Sequence, residues 1–233
     1  MSDHKKKLLK ALIIGKPNVG KSTLINFLVG EKVSIVSRKA QTTQKNTTGV
    51  VTKNDSQLIF FDTPGLNRVD KNVRISETFL AVAENVDVVI YMVDNRKKSQ
   101  SIDNQFITWL KKNDSSIKKK ILLVNKIDCI EKVNLFEITK KINEIITFDE
   151  TFFISVTKES GTESFIKWID KQAYSNEWLF DENYKSNVGK KKFLSELTRE
   201  KIFEYIHEEI PYNLEIKTDY IEPSGKKSIK IYQ

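Results

Sequence analysis

Gly15-Lys16-Pro17-Asn18-Val19-Gly20-Lys21-Ser22 lies between an apolar run, Leu8-Leu9-Lys10-Ala11-Leu12-Ile13-Ile14, and a helix-like run, Thr23-Leu24-Ile25-Asn26-Phe27-Leu28. The order strand, glycine-bracketed loop, helix predicts a phosphate cradle running from Gly15 to Thr23. Residues without a Cβ at 15 and 20 let successive backbone N–H groups turn toward an anion at a helix N-terminus. Lys21 supplies a point charge for the outer phosphates, and the Ser22 hydroxyl is a hard oxygen donor suited to Mg²⁺. A Gly-Lys-Ser string by itself is a turn before a helix; the octapeptide in this setting points to a nucleotide.

Working outward, residues 31–43 show little periodicity and no apolar stripe, which reads as a long loop beside the phosphates. A threonine there can join a metal shell when a γ-phosphate is present and let go after hydrolysis, and Thr43 is the choice, with Thr42 beside it. Two strand-like runs, Thr48–Lys53 and Gln57–Phe61, flank an Asn54-Asp55-Ser56 turn. The second ends in Asp62-Thr63-Pro64-Gly65. A carboxylate at the end of a buried strand, some forty residues past the phosphate loop, would hold Mg²⁺ through water, and Gly65 frees an N–H for the γ-phosphate. Leu66 follows where a glutamine would orient an attacking water. Leucine cannot do so, which predicts slow intrinsic hydrolysis and another device, such as a monovalent cation (K⁺) at Asn18 or a group from a partner.

Val73 to Asn85 reads as helix, and Val86-Asp87-Val88-Val89-Ile90-Tyr91-Met92-Val93-Asp94 as a strand buried on both faces. A helix around Ile102–Leu110 puts Ile102, Phe106, Trp109 and Leu110 on one face, and these are core residues. The next strand, Lys118–Val124, delivers Asn125-Lys126-Ile127-Asp128 to its carboxyl end, where open α/β sheets bind ligands. A carboxylate there accepts from both the N1–H and the amine of guanine, whereas adenine offers a bare acceptor. Asp128 therefore favours GTP and GDP over adenine nucleotides. Lys126 would lie along the base and Asn125 would tie this loop to the phosphate loop. Ser155-Val156-Thr157, after the strand Thr151–Ile154, places a backbone N–H near guanine O6.

The bulk properties agree with such a protein. At 233 residues with 39% hydrophobic residues, there is room for one nucleotide-binding domain and a smaller remainder. Cys129 is the single cysteine, and His4 and His207 lie far apart, which excludes an internal disulfide and a Cys/His zinc site. The N-terminus carries no signal-like apolar core and no run is long enough to span a bilayer, so a cytoplasmic location is expected. The net charge of +8 suits RNA or an anionic membrane surface. Its location is telling: residues 176–233 hold 10 Lys and Arg against 11 Asp and Glu, leaving 29 against 20 in residues 1–175.

The five elements, in order, resemble those of a TRAFAC-class GTPase. Within that class Gly-Lys-Pro-Asn-Val-Gly-Lys-Ser-Thr-Leu-Ile-Asn, Ser-Arg-Lys-Ala-Gln-Thr-Thr at 37–43 and Asp-Thr-Pro-Gly-Leu are similar to the bacterial Era GTPases. The tail, Phe193-Leu194-Ser195-Glu196-Leu197-Thr198-Arg199-Glu200-Lys201-Ile202-Phe203 through Ile210-Pro211-Tyr212, resembles the opening of that family's KH domain. The resemblance implies an α/β P-loop NTPase fold: a three-layer αβα G domain with a mostly parallel six-stranded sheet over residues 1–175. A polar linker at 176–188 would then lead to an incomplete α+β KH-like unit at 189–233, an amphipathic helix with one or two strands, lacking the Gly-x-x-Gly loop that clamps RNA. It further implies GTP hydrolysis with Mg²⁺ held by Ser22, Thr43 and Asp62. The expected partners are 16S rRNA and the 30S subunit during its maturation, with a peripheral place at the inner face of the cell membrane; a monomer is expected. Val156 stands where the family usually has Ala, and since only its backbone donor is needed, base binding should survive. Two readings remain open at this level: a nucleotide-gated binding module with negligible turnover, and a related GTPase of tRNA modification.

Overall fold

The computed structural model describes residues 5–34, 47–62, 77–94, 103–205, 214–224 and 228–233. Its main sheet is built from β1 (Lys7–Ile14), β2 (Thr47–Lys53), β3 (Ser56–Asp62), β4 (Val88–Asp94), β5 (Lys119–Asn125) and β6 (Glu150–Phe153), in the order β2-β3-β1-β4-β5-β6. β2 and β3 form the antiparallel hairpin read from the sequence, with Asn54 at φ 52 in its turn; the other pairings along this path are parallel. The apolar runs of β1, β4 and β5, that of β1 broken once by half-buried Lys10, follow from burial on both faces, as parallel strands under helices require. Chain order reverses about β1, which has β3 on one side and β4 on the other. Open α/β sheets bind ligands at the carboxyl ends of their strands at such a switch point.

Two helical layers close the sheet. On one face α1 (Lys21–Val29) and α5 (Thr162–Lys171) bury Leu24, Ile25, Val29, Phe165 and Ile169 against β1, β4 and β5. On the other, α2 (Glu77–Ala83), α3 (Asn104–Lys112) and α4 (Lys132–Asn143) bury Phe79, Phe106, Trp109, Leu110, Ile138 and Ile142. Asp103 caps α3 by accepting from the Gln105 N–H at 3.0 Å. The helix expected from Val73 is described from Glu77 onward, and its earlier residues lie outside the described ones.

The expected six strands gain a seventh. β7 (Tyr174–Ser175) pairs antiparallel with Leu8 and Lys7 at the start of β1. The stretch expected as a polar linker, 176–188, is docked on the hairpin, because its aromatic residues have somewhere to go. Phe180 and Tyr184 stack at 4.4 Å and cover Leu8, Val50 and Ile59. The Val50 N–H donates to Lys185 O at 2.8 Å and the Thr48 N–H to Asn187 Oδ1 at 2.9 Å, which covers part of the open edge of β2. Fully buried Gln57 fastens this strap: its Oε1 accepts from the N–H groups of Leu179 and Phe180, and its Nε2 donates to Phe180 O and Thr52 Oγ1.

Beyond the strap come α6 (Lys190–Tyr205) and a two-stranded sheet of β8 (Tyr220–Pro223) and β9 (Ile229–Tyr232), with Tyr220 stacked on Tyr232 at 4.0 Å. The expected amphipathic helix buries polar residues: among its described side chains Ser195 and Arg199 are buried, and Phe193, Leu194 and Leu197 are half-buried. Ser195 Oγ accepts from the Thr218 N–H at 2.8 Å, and Thr218 Oγ1 accepts from Gln233 Nε2 at 2.9 Å. A Glu200–Lys32 ion pair of 2.7 Å joins α6 to the loop after α1.

Replacing Gln57 with Leu roughly keeps the volume but strips two part-buried backbone N–H groups of their acceptor. The expected loss is about 2–3 kcal/mol of stability in chemical denaturation, with faster protease cleavage inside 176–188.

Candidate guanine nucleotide site

The loop after β1 is shaped by what cannot fit around it. Gly15 has φ 149, and a Cβ there would lie 2.2 Å from Met92 O at the neighbouring strand. Gly20 has φ 111, and a Cβ there would lie 2.4 Å from Asn125 Nδ2. Both glycines are therefore forced by close approach, as the spacing suggested. Pro17 and Asn18 are exposed at the lip, Asn18 with φ 65, and Val19 is turned into the core.

Lys21 and Ser22 open α1 at the base of this loop, followed by half-buried Thr23. The Lys21 ammonium is buried and donates to Gly15 O at 2.9 Å and Lys16 O at 3.1 Å. Burial pulls its pKa below the ordinary lysine range, opposed by the charge of Asp62. Asp62, at the end of β3, is fully buried, and burial pushes its carboxyl above the ordinary range, opposed by Lys21 and by the Ser22 hydrogen bond. Ser22 Oγ donates to Asp62 Oδ2 at 2.7 Å, while Asp62 Oδ1, equally buried, has no hydrogen-bond partner among the described residues. A buried carboxylate oxygen without a donor, next to a hydroxyl, is the donor set of a hard divalent cation, so the residues fit Mg²⁺.

On the base side, Asn125 ends β5 almost fully buried. Its Nδ2 donates to Val19 O at 2.8 Å, which is the tie to the phosphate loop expected from the sequence, and its Oδ1 accepts from the Val156 N–H at 3.2 Å. The Val156 donor, expected at guanine O6, is thus engaged by Asn125, and the larger valine side chain is accommodated by being buried in the core. Lys126, at φ 63, places its ammonium on Asn18 O and on Asp94 Oδ2. Ile127 and Asp128 lie in a 3-10 turn, with the Ile127 N–H donating to Ile154 O at 3.2 Å. Asp128 is exposed; the Ser155 hydroxyl foremost, with the Cys129 thiol, holds its carboxyl below the usual range, so it is an ionised acceptor at neutral pH. Ser155 is fully buried and its Oγ lies 3.5 Å from Thr157 Oγ1.

Lys21, Ser22, Asp62, Asn125, Lys126, Asp128, Ser155, Val156 and Thr157 are therefore gathered at one end of the sheet. Thr42, Thr43, Thr63, Pro64, Gly65 and Leu66 lie outside the described residues. Two residues escaped the sequence reading. Asn26, a polar residue in an otherwise apolar helix, accepts from the N–H groups of Val33 and Ser34 and donates to Ser34 O, fixing the entry to the loop after α1. Asp94 reads in the sequence only as the end of a strand.

The chain matches the family model described as 50S ribosome-binding GTPase over residues 10–126. It is 35% identical over 225 residues to GTPase Era of Bradyrhizobium diazoefficiens and 33% identical over 224 residues to GTPase Era of Brucella suis, in each case 95% of this chain and 71% of the relative. The chain belongs to the Era family of GTPases. A crystal structure of Era in complex with MgGDPNP and nucleotides 1506–1542 of 16S ribosomal RNA superposes with a TM-score of 0.77 at 31% identity, covering 94% of this chain and 74% of that one. An Aquifex aeolicus Era variant bound to GDP·AlF4⁻ gives the same TM-score and coverage at 33% identity. The α/β P-loop fold, guanine nucleotide binding and GTP hydrolysis follow for this chain.

Two substitutions test the geometry. Gly20→Ala drives a methyl group into Asn125 and strains a left-handed residue, and should weaken GDP binding roughly tenfold in calorimetry. Asp128→Asn replaces a double acceptor by a donor–acceptor pair; guanine affinity should fall about a hundredfold while xanthosine diphosphate, which presents an oxygen at C2, gains.

Proposed function

We propose that this chain is a GTP-driven switch in 16S rRNA processing and 30S subunit assembly. The observation that carries the reading is the pairing of Ser22 with Asp62, buried beside the Lys21 charge and set at the same sheet edge as the Asn125–Asp128 loop. It is supported by likeness along nearly the whole chain to an Era solved with a GTP analogue and 16S rRNA. In this reading residues 1–175 form the G domain, the strap 176–188 leads from it to the tail, and 189–233 resemble the opening of a type II KH-like unit. The protein works in the cytoplasm as a monomer, with peripheral association at the inner face of the membrane.

The site residues divide the chemistry by position. The loop from Gly15 to Thr23 cradles the phosphates, and Lys21 leaves the carbonyls of Gly15 and Lys16 for the β- and γ-phosphate oxygens. Ser22 and Asp62, with Thr43, would hold Mg²⁺, which when bound neutralises charge on the phosphate oxygens. By the family resemblance, Thr63, Pro64, Gly65 and Leu66 would serve the γ-phosphate, with the Gly65 N–H as its donor. Asn125, Lys126, Ile127 and Asp128 with Ser155, Val156 and Thr157 enclose the base. Water attacks the γ-phosphate in line, and rate enhancement is positional and electrostatic, because none of these side chains is an evident general base. Leu66 cannot orient that water, so turnover depends on K⁺ at the exposed Asn18 amide or on the ribosomal partner.

Steady-state GTP hydrolysis is the test, run in potassium and in sodium buffer with and without 30S subunits. The expected outcome is low turnover in sodium, stimulation of at least about tenfold by potassium or subunits, and loss of activity in Lys21→Ala. Tight GTP binding with no turnover in any condition would leave only a binding module.

A further inference from the structure

The guanine loop hangs on a side chain that none of the five sequence elements contains. β4 ends at Asp94, and the strand register sets Asp94 directly beside Asn125 on β5, one residue before Lys126. The Asp94 carboxylate receives the Lys126 ammonium at 2.7 Å, with the two side chains 16% and 22% exposed. The same ammonium donates to Asn18 O in the phosphate loop. Lys126 also holds a left-handed backbone at φ 63, a conformation that persists in a residue with a side chain only where its surroundings enforce it.

We propose that Asp94 is a positioning residue for guanine nucleotide binding that acts through Lys126. A lysine stem free in water samples many rotamers, and binding a base along it would carry that ordering cost. The charge-assisted bond to Asp94 fixes the ammonium before the nucleotide arrives, so the stem is already laid across the loop where the base would sit. The same bond joins the end of β4 to the phosphate loop through Lys126, as Asn125 joins β5 and the Ser155 loop to it. The inference rests on the guanine-site reading above and adds to it a residue whose role is preorganisation.

The alternative role, a strut between β4 and β5, would show in thermal stability alone. The experiment measures mant-GDP dissociation by stopped flow from the full chain, from Asp94→Ala, from Lys126→Met and from the double variant, with thermal melts of each. Asp94→Ala should release mant-GDP about tenfold faster, the modest size reflecting a partly exposed pair. Its KM for GTP should rise by a larger factor than kcat falls. In the Lys126→Met background the Asp94→Ala change should add less than twofold, because its target is gone. Asp94→Asn, which keeps the size and one hydrogen bond, should fall between wild type and Asp94→Ala, and it carries the test if the alanine variant fails to fold. Unchanged dissociation in the Asp94 variants, whether or not the melting temperature drops, overturns the proposal. So does a tenfold effect that survives intact in the Lys126→Met background. A wild-type chain that holds no mant-GDP overturns the guanine-site reading itself and this inference with it.

Discussion

The carboxamide of Asn125 is the group on which the geometry of the site turns. Almost wholly buried at the end of β5, it donates to Val19 O and accepts from the Val156 N–H, so one side chain fixes the distance between the phosphate loop and the loop after β6. No water is needed at either end, which leaves both bonds in a low-dielectric setting where losing a partner is costly. Gly20 is the counterpart of this arrangement: any Cβ at that position would enter the space the carboxamide fills. The loop can approach β5 only because that residue has no side chain.

A second constraint works against stability and for function. Lys21 and Asp62 are both buried at the start of α1 and the end of β3, and burial pushes each toward its neutral form while their mutual attraction resists. Burying charged groups that are only partly compensated is expensive, and the Asp62 Oδ1 atom, without a hydrogen-bond partner among the described residues, is part of that cost. Phosphate and a divalent cation are ligands that supply the missing partners. The fold thus carries its strain at the carboxyl edge of the sheet and makes its strength in the two apolar layers beneath, where Phe165, Ile169, Phe106 and Leu110 are wholly or nearly inaccessible to water.

Much of this was legible in the residues. The runs of β1, β4 and β5 announce buried parallel strands because almost nothing polar interrupts them, Lys10 in β1 being the exception, and the three loop motifs follow strands at their carboxyl ends, where ligands bind. What local patterns could not reveal are contacts between distant parts of the chain. Gln57 looks like an ordinary polar strand residue until Leu179 and Phe180, more than a hundred residues later, arrive to use it. The stretch 176–188 reads as a linker because its polar residues outnumber its apolar ones; two stacked aromatics are enough to dock it. Val156 shows the same limit at the scale of one donor, since the partner of its N–H is Asn125, thirty-one residues away. Asp94 was hidden in the same way, its meaning set by the strand register beside it.

The central claim is that Asp128, an exposed carboxylate on the loop that Asn125 ties to the phosphate loop, makes this a guanine nucleotide site. Calorimetric titration of the full chain with GDP and with ADP, each with Mg²⁺, tests it most directly. The account predicts that GDP binds about a thousandfold more tightly or better, because a carboxylate built to accept two hydrogen bonds rejects a base that offers none in that position. Equal affinity for the two nucleotides, or a preference for ADP, would contradict it.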